Sequence, residues 1–383
     1  MVKDRPPRIF AVAGEPSGDA LGAAILRSVR ERLPEVEIYG GGGQRLRTVG
    51  QLQCVDPVAH AAMGITAVAA KLPKFLQFRK ILLQEVERVR PDLLLLVDFS
   101  TFNRSLAYAV KKRFPTIKTV FFIAPMFWAW GPWRAKKFER HIDLLISIYD
   151  FERDWFRRHT PNLRVECVGH PMIDDLARLT PVPREANTLA LFPGSRESEI
   201  RRNLPMMLEA AHRVIQASTI DRVLVSATHK GAFDIIQEIF RQMNTRIQTQ
   251  PFEIVTGRAH EIMQRSAAGL VKSGTVATEC AAAGLPFVLM YRTGFIDYFI
   301  KRFFITTPFY GMPNLLAGRE LIREFMPLEV TAPKLAQEVL ELLNNRKKYN
   351  AVISGLDEVR SRLGPPGAST RAAELIVKML ESL

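Results

Sequence analysis

Short apolar runs alternate with longer amphipathic stretches along most of the chain. The run Arg8 to Gly14 (RIFAVAG) predicts a buried strand, which opens through Glu15-Pro16-Ser17-Gly18-Asp19 into a helix from Ala20 to Leu33. Val36 to Gly40 predicts a second strand, and the run Gly40-Gly41-Gly42-Gly43 predicts a turn where backbones approach closely. Asp92 to Phe99 (DLLLLVDF) is the clearest buried strand. Further strands are expected at Lys118–Pro125, Asp143–Ile148 and Val165–Gly169, with helices at Phe102–Phe114 and Phe151–His159. A polar, proline-bearing stretch, Thr180 to Asn187, predicts a linker.

Beyond that linker the alternation restarts. Strands are expected at Thr188–Gly194, Arg222–Thr228, Phe252–Gly257, Gly269–Lys272 and Phe287–Arg292, each of the first four followed by a helical pattern. From about Thr331 onward the pattern is helical, with Gly364-Pro365-Pro366-Gly367 before the last helix. Strands alternating with helices imply parallel sheets built from right-handed βαβ units. The fold class is therefore α/β. We expect a Rossmann-like domain over residues 1–182, a second over 183–330 facing it across a cleft, and helices over 331–383.

Composition narrows the partners. The chain has 383 residues, and 53 Lys and Arg against 39 Asp and Glu give a net charge of +14. Such a surplus suits phosphorylated substrates, anionic membranes or nucleic acid. No nucleic-acid module accompanies it, so nucleic acid ranks below the others. Cys54, Cys167 and Cys280 stand far apart and suggest neither disulfides nor a zinc site, in keeping with a reducing cytosol. The start lacks a signal-peptide core, and no apolar run is long enough to span a bilayer.

Ligands of open parallel sheets sit beyond the carboxyl ends of the strands. In the first half that places Glu15, Ser17 and Asp19 after the first strand and Asp98 at the end of DLLLLVDF. A carboxylate ending an apolar strand is costly to bury without a partner, and a dry site raises its pKa toward that of a general base. The alternative for Asp98 is a cap on the helix that follows. In the second half, Pro193-Gly194-Ser195-Arg196 and Ser273-Gly274-Thr275 each join a strand to a helix. Backbone N–H groups and an arginine fork there suit phosphate, and Glu279 could accept from ribose hydroxyls. The alternatives are an ordinary turn, a capping Ser273 and a solvated Glu279. No His or acid pair has metal-ligand spacing, so no metal and no cofactor is expected.

Three segments set aromatic beside basic side chains. They are Lys71 to Lys80, which includes Phe75 and Phe78; the segment with Trp128, Trp130 and Trp133; and Phe299 to Phe304. At least one is expected to lie at an anionic membrane interface.

Taken in order, the motifs resemble the lipid-A-disaccharide synthase family. The matching stretches are Gly14-Glu15-Pro16-Ser17-Gly18-Asp19, Met63-Gly64-Ile65, Trp128-Ala129-Trp130, Gly169-His170, Pro193 to Arg196, Ser273-Gly274-Thr275 with Glu279, and Pro313 to Glu320 (PNLLAGRE). The resemblance implies a GT-B architecture and an inverting, metal-independent glycosyl transfer. The donor would be UDP-2,3-diacylglucosamine, the acceptor 2,3-diacylglucosamine 1-phosphate, and the products a β-1,6-linked disaccharide phosphate and UDP. It implies a cytoplasmic enzyme held peripherally at the inner membrane. It also implies terminal helices that pack away from their own second domain, across or onto a partner in a homodimer. Asp98 matches the essential acid, with Glu15 as a second carboxylate. Asn314 and Arg319 would complete the donor pocket with Ser17, Gly194, Ser195, Arg196 and the Ser273 turn. One departure stands out: where the family commonly has a second acid three residues after the first, this chain has Thr101. Another GT-B transferase acting on a lipid-linked acceptor, or a non-catalytic nucleotide-sugar-binding scaffold, are the competing expectations.

Overall fold

The structure is a computed structural model that describes residues 5–61, 68–244, 251–292 and 307–383. The Met63-Gly64-Ile65 stretch and the segment at 299–304 lie outside the described residues. Contacts divide the chain into two units: residues 1–174 together with 364–383, and residues 175–363. The division falls just before the proline-bearing stretch that was expected to carry it.

The first unit holds a parallel sheet of β1 (Arg8–Ala13), β2 (Glu37–Gly41), β3 (Leu52–Val55), β4 (Leu93–Val97), β5 (Lys118–Phe122), β6 (Leu144–Ser147) and β7 (Arg164–Cys167). Their spatial order is β3-β2-β1-β4-β5-β6-β7. The central strands are buried on both faces, which is why their sequences are continuous apolar runs. Gly40, at φ 135°, lies so close to β1 that a Cβ there would sit 2.0 Å from the Ala11 carbonyl oxygen. This is the close approach expected of the glycine run.

The second unit holds β8 (Glu185–Phe192), β9 (Arg222–Ala227), β10 (Phe252–Thr256), β11 (Ser266–Lys272), β12 (Phe287–Met290) and β13 (Glu324–Phe325). Their order is β10-β9-β8-β11-β12-β13, again all parallel. Both sheets thus reverse direction beside their first strand, between β1 and β4 and between β8 and β11. A reversal of this kind leaves a crevice beyond the carboxyl ends of the two strands.

The terminal helices do not form one group. Helices Ala332–Asn344 and Arg346–Arg362 belong to the second unit, whereas Ala368–Glu381 belongs to the first. There the last helix packs against helix Pro16–Arg32, with Arg32 paired to Glu374 at 3.0 Å. Arg371 Nε donates to the Val168 carbonyl at 3.0 Å, and the Gly367 amide donates to Asp174.

Candidate active site

In the first unit, Ala13 of β1 pairs with Val97 of β4, so the residues that follow them emerge side by side. Glu15 is exposed and extended at the start of helix Pro16–Arg32. Asp98 and Phe99 both take left-handed backbone, at φ 48° and 47°, and helix Ser100–Arg113 begins directly after them. Each such non-glycine residue costs about 1–3 kcal/mol and persists only where its surroundings hold it. Here the Asp98 amide donates to the Phe122 carbonyl at 2.9 Å. The buried Asn103 side chain donates to the carbonyls of Asp98 (2.8 Å) and Val97 (3.2 Å). The Phe99 ring covers Gly14 so closely that a Cβ would sit 2.2 Å from it, and it packs on Phe75 and Phe102.

Burial pushes the Asp98 carboxyl above the usual carboxylate range, and the Glu15 charge adds to this, while the Phe99 amide opposes it. The helix that follows has no side-chain cap bond, so Asp98 does not serve as its cap. Asp19 is a structural acid: it is buried and accepts from the amides of Gly43 (2.7 Å), Arg45 (2.8 Å) and Leu46 (3.3 Å). Ser17, grouped by sequence with the donor contacts, lies in the first unit on the same turn as Glu15.

In the second unit, Phe192 of β8 pairs with Val271 of β11, which sets the two anion-suited turns next to each other. Gly194 has φ 122°, and a Cβ there would lie 2.6 Å from Glu199 Oε2. Glu199 is the hub of this region. It accepts from the Ser195 amide (3.3 Å), Arg196 Nη1 (3.1 Å) and Lys272 Nζ (3.0 Å). Burial pushes its carboxyl up, but Lys272, Arg196 and the Ser195 amide outweigh this and hold it below the usual range. Asn203 fixes the turn by donating to the Pro193 carbonyl at 2.9 Å.

Across from it, Gly274 has φ 148°, and a Cβ there would lie 3.1 Å from Lys272 Nζ. The Lys272 ammonium therefore sits over the start of helix Thr275–Ala282, which has no side-chain cap from Ser273. Burial raises the Glu279 carboxyl on this helix, with a smaller opposing effect of His260.

The PNLLAGRE stretch forms helix Met312–Ala317 and its exit. Asn314 is fully buried, and its hydrogen bonds are engaged within the protein. It donates to the Ile322 carbonyl and Glu324, both at 2.7 Å, and accepts from the amides of Leu321 (2.9 Å) and Ile322 (2.8 Å). Asn314 is thus a positioning group that ties this helix to β13. Arg319 pairs with Glu358 at 2.7 Å. Sequence reasoning missed Glu324, which also accepts from the amides of Tyr310 (2.9 Å) and Gly311 (3.0 Å). It missed Glu199, Lys272 and Asn103 as well; only the i+3 spacing of Glu199 from Arg196 signalled any of these links. Among the described residues no group of three or more His, Cys, Asp or Glu is placed to hold a metal ion.

The sequence model of the lipid-A-disaccharide synthetase family matches residues 9–372. The chain is 34% identical over 396 residues to a lipid-A-disaccharide synthase of Myxococcus xanthus, covering 98% of both chains. The chain belongs to the lipid-A-disaccharide synthetase family. It is a glycosyltransferase that forms the lipid A disaccharide. Among solved structures it is similar to an S. aureus MnaA–UDP complex (TM-score 0.64, 14% identity, covering 100% of this chain and 98% of that one). It is also similar to Acinetobacter baumannii MurG (TM-score 0.57, 10% identity, 99% and 100%). At such identities the likeness concerns the fold, which is GT-B.

For a family that works on lipid sugars, the aromatic side chains matter, and the structure sorts them. Phe78 and Trp128, expected at a lipid interface, are buried: Phe78 lies in the core of the first unit, and Trp128 Nε1 donates to the buried Glu152 at 3.1 Å. Phe75 is half-buried against Phe99 and Phe102. Trp130 and Trp133 are the exposed ones, 49% and 72% accessible, along with Met126 and Leu76. Among the described residues, no helix is long and apolar enough to cross a membrane.

Proposed function

We propose that the protein transfers 2,3-diacylglucosamine from its UDP derivative to the 6-hydroxyl of 2,3-diacylglucosamine 1-phosphate. The products are the β-1,6-linked disaccharide 1-phosphate and UDP. The observation that carries this reading is the Asp98 carboxylate, held by two consecutive left-handed residues at the reversal point of the first sheet, with its pKa raised by burial and by Glu15. Such a carboxylate is a stronger base than an exposed one and suits proton removal from a sugar hydroxyl.

In this mechanism Asp98 takes the proton of the acceptor 6-hydroxyl as that oxygen bonds to the anomeric carbon of the donor. The bond from that carbon to the UDP oxygen breaks, and its electron pair leaves on the diphosphate. Attack from the opposite face turns the α-linked donor into a β-linked product. The charge that develops on UDP is met in the second unit by Arg196, Lys272 and the helix starts after Gly194 and Gly274. Asn314 and Glu324 tie helix Met312–Ala317 to β13 in the same unit. Exposed Trp130 and Trp133, beside Lys136 and Lys137, support a side-on contact with an anionic membrane surface.

The test is UDP release from the purified protein in detergent with the donor alone and with donor plus acceptor. The proposal predicts acceptor-dependent release and a β-1,6-linked product by mass spectrometry and NMR. UDP release that is independent of acceptor, or none at all, would overturn it.

A further inference from the structure

Along helix Ser100–Arg113 runs a groove of about 810 Å³. Arg79, Arg104, Lys112, Arg113, Arg134 and Lys137 line it, and no carboxylate does, among the described residues. Thr101 lines its end nearest Asp98 in the chain, the position where the family pattern carries an acid. Trp133 and Tyr108 add an aromatic wall.

The central pair is Arg104 and Arg134. Their guanidinium carbons lie 5.1 and 4.9 Å from the centre of one ring, Phe127. Arg134 also stacks on Trp130 at 3.8 Å. Arg104 Nε donates to the Ser100 carbonyl at 3.1 Å, Arg134 to the carbonyls of Gly131 and Trp130, and Arg79 to the Ser105 hydroxyl at 2.7 Å. All these acceptors are neutral, and among the described residues no carboxylate pairs with the three arginines. Burial lowers the Arg134 pKa, and the neighbouring Arg104 charge lowers it further. Two guanidiniums fixed on one ring, partly withdrawn from water and repelling each other, favour the binding of an anion between them. A guanidinium fork matches the oxygens of a phosphate.

We propose that this groove binds the phosphomonoester of the sugar acceptor, with Arg104 and Arg134 as its main ligands and Arg79 as a third. The inference rests on the acceptor named above. That sugar carries its phosphate at C1 and its reacting hydroxyl on C6; the two branch from the carbons that flank the ring oxygen, on opposite faces and a few bonds apart. Asp98 stands just ahead of the helix, and Arg104 lies about one helical turn, roughly 5.4 Å, into it. A base before the helix and cations a turn along it follow the same layout. Thr101 in place of an acid keeps the near end of the groove free of a negative charge that would repel the phosphate.

The test compares wild type with the Arg104→Gln/Arg134→Gln double variant and with Arg104→Lys. Steady-state kinetics are measured at saturating donor, on the phosphorylated acceptor and on the same lipid without its phosphate. UDP affinity and thermal midpoint report on the fold. The double variant is expected to raise KM for the phosphorylated acceptor about tenfold or more, given the strength of charged hydrogen bonds, while kcat holds. KM for the dephosphorylated lipid is expected to stay constant, and Arg104→Lys to recover part of the loss. An equal rise for both acceptors, or no rise, would overturn the proposal. So would an unchanged KM together with weaker binding to phosphatidylglycerol vesicles, because the groove would then serve the bilayer.

A second measurement needs no turnover. Tryptophan emission, with Trp133 in the groove, is followed during titration with glucosamine 1-phosphate, with inorganic phosphate and with glucosamine. Saturable quenching by glucosamine 1-phosphate, stronger than by inorganic phosphate, absent with glucosamine and lost in the double variant, supports the groove even if wild type forms no disaccharide. No such quenching overturns it. If the double variant does not fold, Arg134→Gln alone carries the same comparisons.

Discussion

Lys272 Nζ donates to Glu199 Oε1 at 3.0 Å, linking the turn after β11 to the turn after β8. Sequence reasoning gave Lys272 no role of its own. The ammonium stands between the turn after β8 and the turn after β11, and we propose that it meets the UDP diphosphate there. Lys272→Met is expected to raise the Kd for UDP about tenfold, the scale of one charge-assisted hydrogen bond. Isothermal titration checks this, and an unchanged affinity would remove Lys272 from the donor site. Because Glu199 is held below the usual carboxylate range, its ion pair stabilises the fold above that range and loses this effect as pH falls. The stability gap between wild type and Lys272→Met is therefore expected at pH 7 and to close in acid.

Glu15 acts on Asp98 through its charge. Burial and the Glu15 charge raise the Asp98 pKa, and only deprotonated Asp98 can act as base. The value of kcat/KM is expected to rise with pH through the Asp98 ionisation. Glu15→Gln removes the like charge, so the acid limb is expected to move to lower pH. A limb that stays in place would show that Glu15 does not tune Asp98.

Asn103 holds the carbonyls of Val97 and Asp98 from a fully buried site. Asn103→Ala leaves those carbonyls without their donor, and we expect a loss of about 1–3 kcal/mol by denaturant unfolding. Asn103→Asp sets a carboxylate against the same carbonyls and is expected to cost more. Both should also lower activity, since the left-handed pair at 98–99 loses a support.

Glu152 is buried, and burial raises its carboxyl to about 8, with Trp128 opposing through its hydrogen bond. An acid with a raised folded pKa loses stability as pH climbs from the ordinary carboxylate range to that value. Glu152→Gln is therefore expected to melt higher than wild type at pH 8.5, with the gap shrinking toward pH 5. A gap independent of pH would contradict the assignment.

Much of the fold was legible because fully buried parallel strands are continuous apolar runs, as in Leu93 to Val97. The edge strand Leu52–Val55 was not, since its partly exposed residues lack such a run. The two-residue β13 was too short to leave a pattern. Helix Ser100–Arg113 starts two residues before its expected start because Asp98 and Phe99 turn left-handed without glycine, a conformation set by Asn103 and Phe122 rather than by local composition. The residue types at the site could be picked out from their places after strands. Their partners could not. Lys272 meets a carboxylate far away in sequence, and Trp128 is distinguished from Trp130 by the buried Glu152 and the Phe151 ring beside it, neither of which its own sequence neighbours reveal.

The most direct test of the central claim is single-turnover disaccharide formation by wild type and Asp98→Asn, with UDP affinity measured for both. The account predicts that the variant binds UDP like wild type but forms product about 10²–10⁴-fold more slowly, the range for loss of a general base. Product formation at the wild-type rate would contradict it.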